Sequence, residues 1–165
     1  MSIVIALNST AIETLDLTPA TSQIEPILTE NAIADRLGSV QFDIDYSREP
    51  GDPRELSEIP EVRLWFVRLD AVYPYMPILL DWKAGELARY AAMLVPHEFH
   101  RTEGIQYNPE ALEIFLMGKI FTLLPWLDDR GISSTSKLQA MAQMFGYELD
   151  AQLFDRLRSS YMKSG

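Results

Sequence analysis

Residues 108–124, NPEALEIFLMGKIFTLL, constrain this chain more than any other stretch. Asn108 carries the short acceptor that caps a helix, and Pro109 suits the first helical position, where its missing N–H costs nothing. Glu110 then complements the positive end of the helix dipole. Leu112, Phe115, Leu116, Ile120 and Leu123 line one side of this helix, while Ile114, Met117, Phe121 and Leu124 line another. A helix apolar around so much of its girth is expected at the centre of a fold.

The other segments supply the wrapping. Ile3, Val4, Ile5, Ala6 and Leu7 form an apolar run that reads as a strand buried on both faces. Residues 18–28 read as a helix, with Thr18 as cap and Pro19 in its first turn, and residues 30–37 as a second helix ended by Gly38. Val40, Phe42, Ile44 and Tyr46 alternate with Gln41, Asp43 and Asp45, the pattern of a half-buried strand. Pro50, Gly51 and Pro53 make residues 47–56 a loop. Ser57 is expected to cap a helix carrying Ile59, Val62, Phe66, Leu69 and Tyr73, ended by Pro74 and Pro77. Asp81 is expected to cap the next, which runs to about Val95 with Ala84, Leu87, Ala91 and Leu94 inward. Residues 96–107 read as a loop. Leu138, Met141, Ala142 and Phe145 form a helical stripe stopped by Gly146, and Asp150 caps a last helix with Leu153, Phe154 and Leu157 inward.

Together these elements predict an α+β fold: a small sheet of at least two strands in the N-terminal third, packed by a helical majority after residue 57. No internal repeat or linker interrupts the pattern, so residues 1–165 are expected to form a single domain.

Charge narrows the partners. Twenty-four acidic residues face fourteen basic ones, for a net charge of −10. Such a field repels phosphate backbones and anionic membranes and attracts a basic protein surface. The acidity lies mostly before residue 133, where 21 acidic side chains face 10 basic ones. The stretch from residue 137 to residue 158 pairs two helices around Gly146, but acidic side chains interrupt any basic face; it reads as a helical hairpin, and no nucleic-acid partner is expected.

The chain has no cysteine, which removes disulfides, cysteine nucleophiles and clusters or metals held on its own thiolates. With no signal-peptide pattern at residues 1–4 and no apolar run of bilayer length, a cytoplasmic protein without integral membrane association is expected. Neither a Walker loop nor a dinucleotide-binding glycine pattern is present, and Gly118-Lys119 falls inside a helix. The nucleophile elbow G-x-S-x-G is also missing. Asp43 with Asp45, Asp81 with Glu86, and Asp128 with Asp129 could pair as acid and base, but in so acidic a chain they read as solvated surface. No cofactor is expected.

His97 and His100 are the only histidines. On a helix their spacing of three would put them on one face, and with Glu103 they would make a metal site for a small metal-dependent enzyme. The bland alternative is a polar loop whose side chains bond locally.

Three segments mix Arg, Trp and Tyr with paired charges, the residue types of protein interfaces. They offer Arg54 and Glu55; then Trp82, Lys83, Glu86, Arg89 and Tyr90; then Arg101, Glu103 and Tyr107, with His97 and His100 just before. Caps, loop hydrogen bonds and surface ion pairs would use the same residue types.

The blocks DPRELSEIPEVRLWFVRLDAVYP, LLDWKAGELARYAAMLVP, RTEGIQYNPEALEIF and AQMFGYELD resemble the chlororespiratory reduction six family of cyanobacteria and chloroplasts. The resemblance runs from the first strand to about Leu157. It implies a soluble biogenesis factor for the photosynthetic NAD(P)H dehydrogenase-like complex, absent from the finished complex. It also implies a protein partner: the immature hydrophilic-arm subunit that carries iron–sulfur clusters. The family brings no catalytic residues, so none is assigned. Without the transit segment of the plant members, the chain resembles the cyanobacterial form. The contact is expected on residues 82–90 and 101–107.

Overall fold

Alternation decides the first strand. Within β1 (Ile3–Asn8), Ile5 and Leu7 are buried while Val4, Ala6 and Asn8 are exposed, so the expected strand buried on both faces is instead wet on one. A computed structural model describes residues 2–30, 32–100 and 102–164. The chain divides into two compact units, Met1–Asn108 and Pro109–Gly165.

In the first unit, α1 (Ser9–Glu13), α2 (Thr18–Thr29) and α3 (Ile33–Arg36) connect β1 to β2 (Val40–Asp45). The two strands are parallel, with Ile3 opposite Val40 and Asn8 opposite Asp45. The Ile3 N–H donates to the Ser39 carbonyl at 2.8 Å. In a parallel ladder that phase turns the backbone groups of Ile3, Ile5 and Leu7 toward β2. It equally turns those of Val40 and Phe42 toward the outer edge of β2. The cap of α2 is not Thr18: Asp16 Oδ1 accepts from the Thr18 N–H at 3.0 Å and its hydroxyl at 2.6 Å, so Thr18 already lies inside the helix. The helix expected over residues 30–37 shrinks to the single turn of α3, ahead of Gly38 at φ 70°.

A 3-10 turn (Leu56–Glu58) precedes α4 (Pro60–Val72). Ser57 does not cap α4; it is buried within the turn, whose ends are tied by a reciprocal capping box between Glu55 and Glu58. After the short α5 (Met76–Leu79), Leu80 bridges Val40 in parallel and the Asp81 N–H reaches the Val40 carbonyl at 2.9 Å. Asp81 caps a turn rather than a long helix, its Oδ1 accepting from the Ala84 N–H at 3.1 Å. Gly85, at φ 81°, supplies the left-handed step that a side chain would resist, and α6 (Glu86–Leu94) begins only after it. Leu87 and Ala91 are buried as expected, whereas Ala84 is exposed and Leu94 half-buried.

Residues 96–107 are not a loop. They hold the antiparallel hairpin of β3 (His97–His100) and β4 (Gly104–Tyr107), with His97 opposite Tyr107 and His100 opposite Gly104. The core of this unit is aromatic. The Phe66 ring meets Phe42 at 5.0 Å, Trp65 at 5.1 Å and Tyr90 at 6.0 Å, each edge to face. The buried Trp65 indole N–H is satisfied by the Asp16 carbonyl at 2.8 Å.

The second unit holds α7 (Pro109–Asp129), α8 (Thr135–Met144) and α9 (Ala151–Ser164). Leu112, Leu116, Ile120, Leu123 and Leu127 of α7 are buried, but Ile114 is 73% and Phe121 54% exposed. The helix expected to be wrapped on all sides therefore keeps one apolar face open. Gly146, at φ 86°, ends the α8 turn, with the Tyr147 N–H returning to the Ala142 carbonyl at 3.0 Å. Asp150 Oδ1 accepts from the Gln152 N–H at 2.9 Å, capping α9 as expected, and Phe154 is buried. Arg158 of α9 donates to Asp128 Oδ2 at 2.9 Å, to Ser134 Oγ at 2.7 Å and to Thr135 Oγ1 at 2.8 Å. One guanidinium thus joins the end of α7 to the start of α8.

Candidate functional site

The expected interface residues fall into an inward set and an outward set. Glu86 and Arg89, one helical turn apart on α6, face the outer edge of β2. Glu86 Oε2 accepts from the Phe42 N–H at 3.3 Å, and Arg89 Nη1 donates to the Phe42 carbonyl at 2.9 Å. The two side chains pair with each other at 3.3 Å. They therefore do for one strand residue what a neighbouring strand would do, and close an edge that would otherwise template aggregation. Gln41 extends the polar seam, its Nε2 donating to Asp81 Oδ2 at 3.0 Å. Glu86 is only 6% exposed. Tyr90 is also buried, its hydroxyl donating to Asp70 Oδ1 at 2.6 Å, and burial followed by the Asp70 charge pushes its phenol well above the usual range.

A second inward node gathers around His97. Its Nδ1 lies 3.0 Å from the Val95 carbonyl and 3.3 Å from Arg63 Nη1. Its Nε2 is hydrogen-bonded to Ser57 Oγ at 3.0 Å. Arg63 Nη1 donates to the Ser57 carbonyl at 2.8 Å and to the Ala92 carbonyl at 3.2 Å, and burial lowers the guanidinium's pKa. Tyr107 packs edge-on to the imidazole at 6.0 Å and donates to the Ala88 carbonyl at 3.1 Å; burial pushes its phenol up to about 12. Although Ser57 and His97 stand at hydrogen-bond distance, the imidazole is oriented by a carbonyl rather than a carboxylate, which offers no counter-charge to an imidazolium. Its polar atoms instead join the 3-10 turn, α4, α6 and the hairpin. Ser57 reads from the sequence only as a helix cap, and Arg63 and Asp70 carry no motif or spacing, so sequence reasoning missed their roles; only the interruption of an apolar helix stretch marks Arg63 and Asp70.

The outward set is smaller. Trp82 is half-buried with its indole N–H on the Pro77 carbonyl at 2.8 Å, while Lys83 beside it is exposed. On the hairpin, His100 and Glu98 are exposed and stand 3.6 Å apart, and Glu103 is exposed. Arg101 lies outside the described residues. Arg54 forks onto Asp52, with Nη2 to Oδ2 at 2.8 Å, and holds that carboxyl down at about 2; Glu55 is engaged in the capping box. Because β3 is a strand, residues 97 and 100 point to opposite faces, so the two imidazoles cannot share a metal with Glu103 as a helix would have allowed. Among the described residues no group of three His, Asp or Glu side chains is placed to hold a metal ion.

These features define a small α+β protein whose inward polar groups hold its own backbone and whose first unit presents a charged exterior. Among the described residues no helix is long and apolar enough to cross a membrane. The chain belongs to the chlororespiratory reduction 6 family (Crr6), whose family model matches residues 7–156 of the 165. That family serves assembly of the NAD(P)H dehydrogenase-like complex in photosynthetic organisms, and it is not a known enzyme family. No solved structure matches the chain.

Proposed function

We propose that the protein is a non-catalytic, cytoplasmic assembly factor that holds an immature hydrophilic-arm subunit of the NAD(P)H dehydrogenase-like complex, the one that receives iron–sulfur clusters. Membership of the family across residues 7–156 is the observation that carries this reading. Charge supports it: residues 1–108 hold 17 acidic side chains against 8 basic ones, so a basic partner would be steered toward this unit. With no cysteine, the factor acts on the polypeptide that receives a cluster rather than carrying the cluster on thiolates of its own.

The contact uses Trp82 and Lys83 on the turn before α6 together with His100 and Glu103 of the hairpin; Arg101 is assigned to it from the sequence alone. Glu86, Arg89, Tyr90, His97 and Tyr107 support that surface from within. Tagged protein expressed in a photosynthetic host should capture the free cluster-bearing subunit without the finished complex. Glu103→Lys should slow association with a basic partner and Lys83→Glu should speed it, both at exposed positions; each should change the salt dependence while leaving the far-ultraviolet spectrum unchanged. Folded bait that never captures the subunit removes the direct-holding role, and capture unaffected by both reversals moves the contact elsewhere.

A further inference from the structure

The open side of α7 is organised. Ile114, Gly118, Phe121 and Pro125 recur at steps of four, three and four, which places them along one face of the helix. That face is opposite the buried row of Leu112, Leu116 and Leu123, and it carries two of the most exposed large apolar side chains described. Gly118 is exposed at its centre. Glycine is a poor helix former, here its φ is not positive, and among the described residues a Cβ added to it would meet nothing within 4 Å. Among the described residues nothing therefore asks for glycine at that point. A notch between Ile114 and Phe121 lets a second backbone come close, which a larger residue would prevent.

The rim supplies the chemistry of the occupant. Exposed Glu110 stands at the start of the face and exposed Asp129 at its end. A second copy of this chain fits badly, because antiparallel pairing sets Glu110 against the copy's Asp129 and parallel pairing sets like on like. An anionic lipid surface is repelled by the same carboxylates. A helix with an apolar stripe and cations at its two ends satisfies both parts. From Ile114 to Pro125 the face spans about 16 Å, or roughly three turns.

We infer that this face of α7 is a docking site for an amphipathic helix of a partner protein, apolar along about three turns and bearing Lys or Arg at both ends. The site stands on α7 alone and does not depend on which subunit the protein helps to assemble. Gly118 sets the closeness of approach, Ile114 and Phe121 supply the apolar contact, and Glu110 and Asp129 fix the register by charge.

Fluorescence anisotropy tests this with the full chain and a labelled amphipathic peptide of about 18 residues, five turns, carrying a leucine stripe and lysines at both ends. The wild-type chain should bind it. Gly118→Leu, which keeps a good helix former, and Phe121→Asp should each weaken binding about tenfold or more, equal to about 1.4 kcal/mol, with circular dichroism unchanged. The same peptide with glutamates in place of lysines should bind at least as much more weakly. The proposal is overturned if the wild-type chain ignores the lysine peptide, if Gly118→Leu binds it as tightly, or if the glutamate peptide binds equally. A dimer in sedimentation that Phe121→Asp dissociates would instead assign the face to a second copy. Vesicles of anionic lipid that bind the wild type but not Phe121→Asp would assign it to a membrane.

Discussion

The first unit turns charged side chains onto its own backbone, whereas the second uses one to join the ends of its helices. Glu86 and Arg89 serve the N–H and carbonyl of a single strand residue, and Arg63 serves two carbonyls. In the second unit Arg158 gathers the side chains of Asp128, Ser134 and Thr135. Charge divides the units too: 17 acidic against 8 basic residues in 1–108, but 7 against 6 in 109–165. The large open apolar face belongs to the nearly neutral unit. A long-range field attracts without fitting, while apolar contact fits but acts only at close range. On the proposed α7 docking face, steering and apolar grip would come from different surfaces, the field belonging to the first unit and the apolar face to the second.

Four perturbations test that contrast. Glu86→Ala should cost the most, about 2–3 kcal/mol in urea unfolding, because it leaves both the Phe42 N–H and the Arg89 charge without their partner. Glu86→Gln, which keeps an acceptor, should cost clearly less; equal losses would mean that charge alone matters at this edge. Asp128→Ala should cost about 1–2 kcal/mol, since Arg158 retains Ser134 and Thr135 and is partly solvated.

Alkali should act on the first unit. Tyr90, Tyr107 and Tyr73 all have phenols raised by burial, with carboxylates adding to the shift at Tyr90 and Tyr73. In the unfolded chain these groups ionise near pH 10. Their contribution is therefore complete below about pH 10 and is lost as pH rises through the raised values. An absorbance titration should show these tyrosines ionising late and together with unfolding, and Tyr90→Phe should flatten the alkaline limb. The smallest effect has the opposite sign. Gly118→Ala should stabilise the protein by roughly 0.5–1 kcal/mol, the gain expected for an exposed helix interior. A loss would show that something within the chain approaches Gly118 after all.

Much of this fold was legible in the residues, and the misreadings share a cause. The α+β class, β2, α4 and the caps at Asp150 and Gly146 follow from periodicity and local chemistry, which a linear reading captures. Side chains whose partners or turns lie beyond the local pattern were misread. Ser57 looked like a helix cap, but its hydroxyl answers to His97, forty residues on. Asp81 looked like the start of a helix, but Gly85 must first turn the chain. The hairpin was hidden because His97, Glu98 and His100 give its first strand no apolar alternation. At the candidate site the residue types were right for an interface, but composition cannot tell an arginine that faces water from one that faces a carbonyl. The circumference of α7 misled in the other direction: apolar residues on every side predict burial, unless one side is kept for contact.

The seal on β2 also sets an order of events. Phe42 and its two partners are separated by 44 and 47 residues, so the edge cannot close until α6 has formed and docked. Closing so long a loop is slow compared with forming a helix. During that interval the newly paired strands expose one raw edge, and each molecule is briefly a template for its neighbours. Crowded refolding should punish this protein more than dilute refolding does, and an Arg89→Ala chain should aggregate during refolding at concentrations where its folded form stays clear.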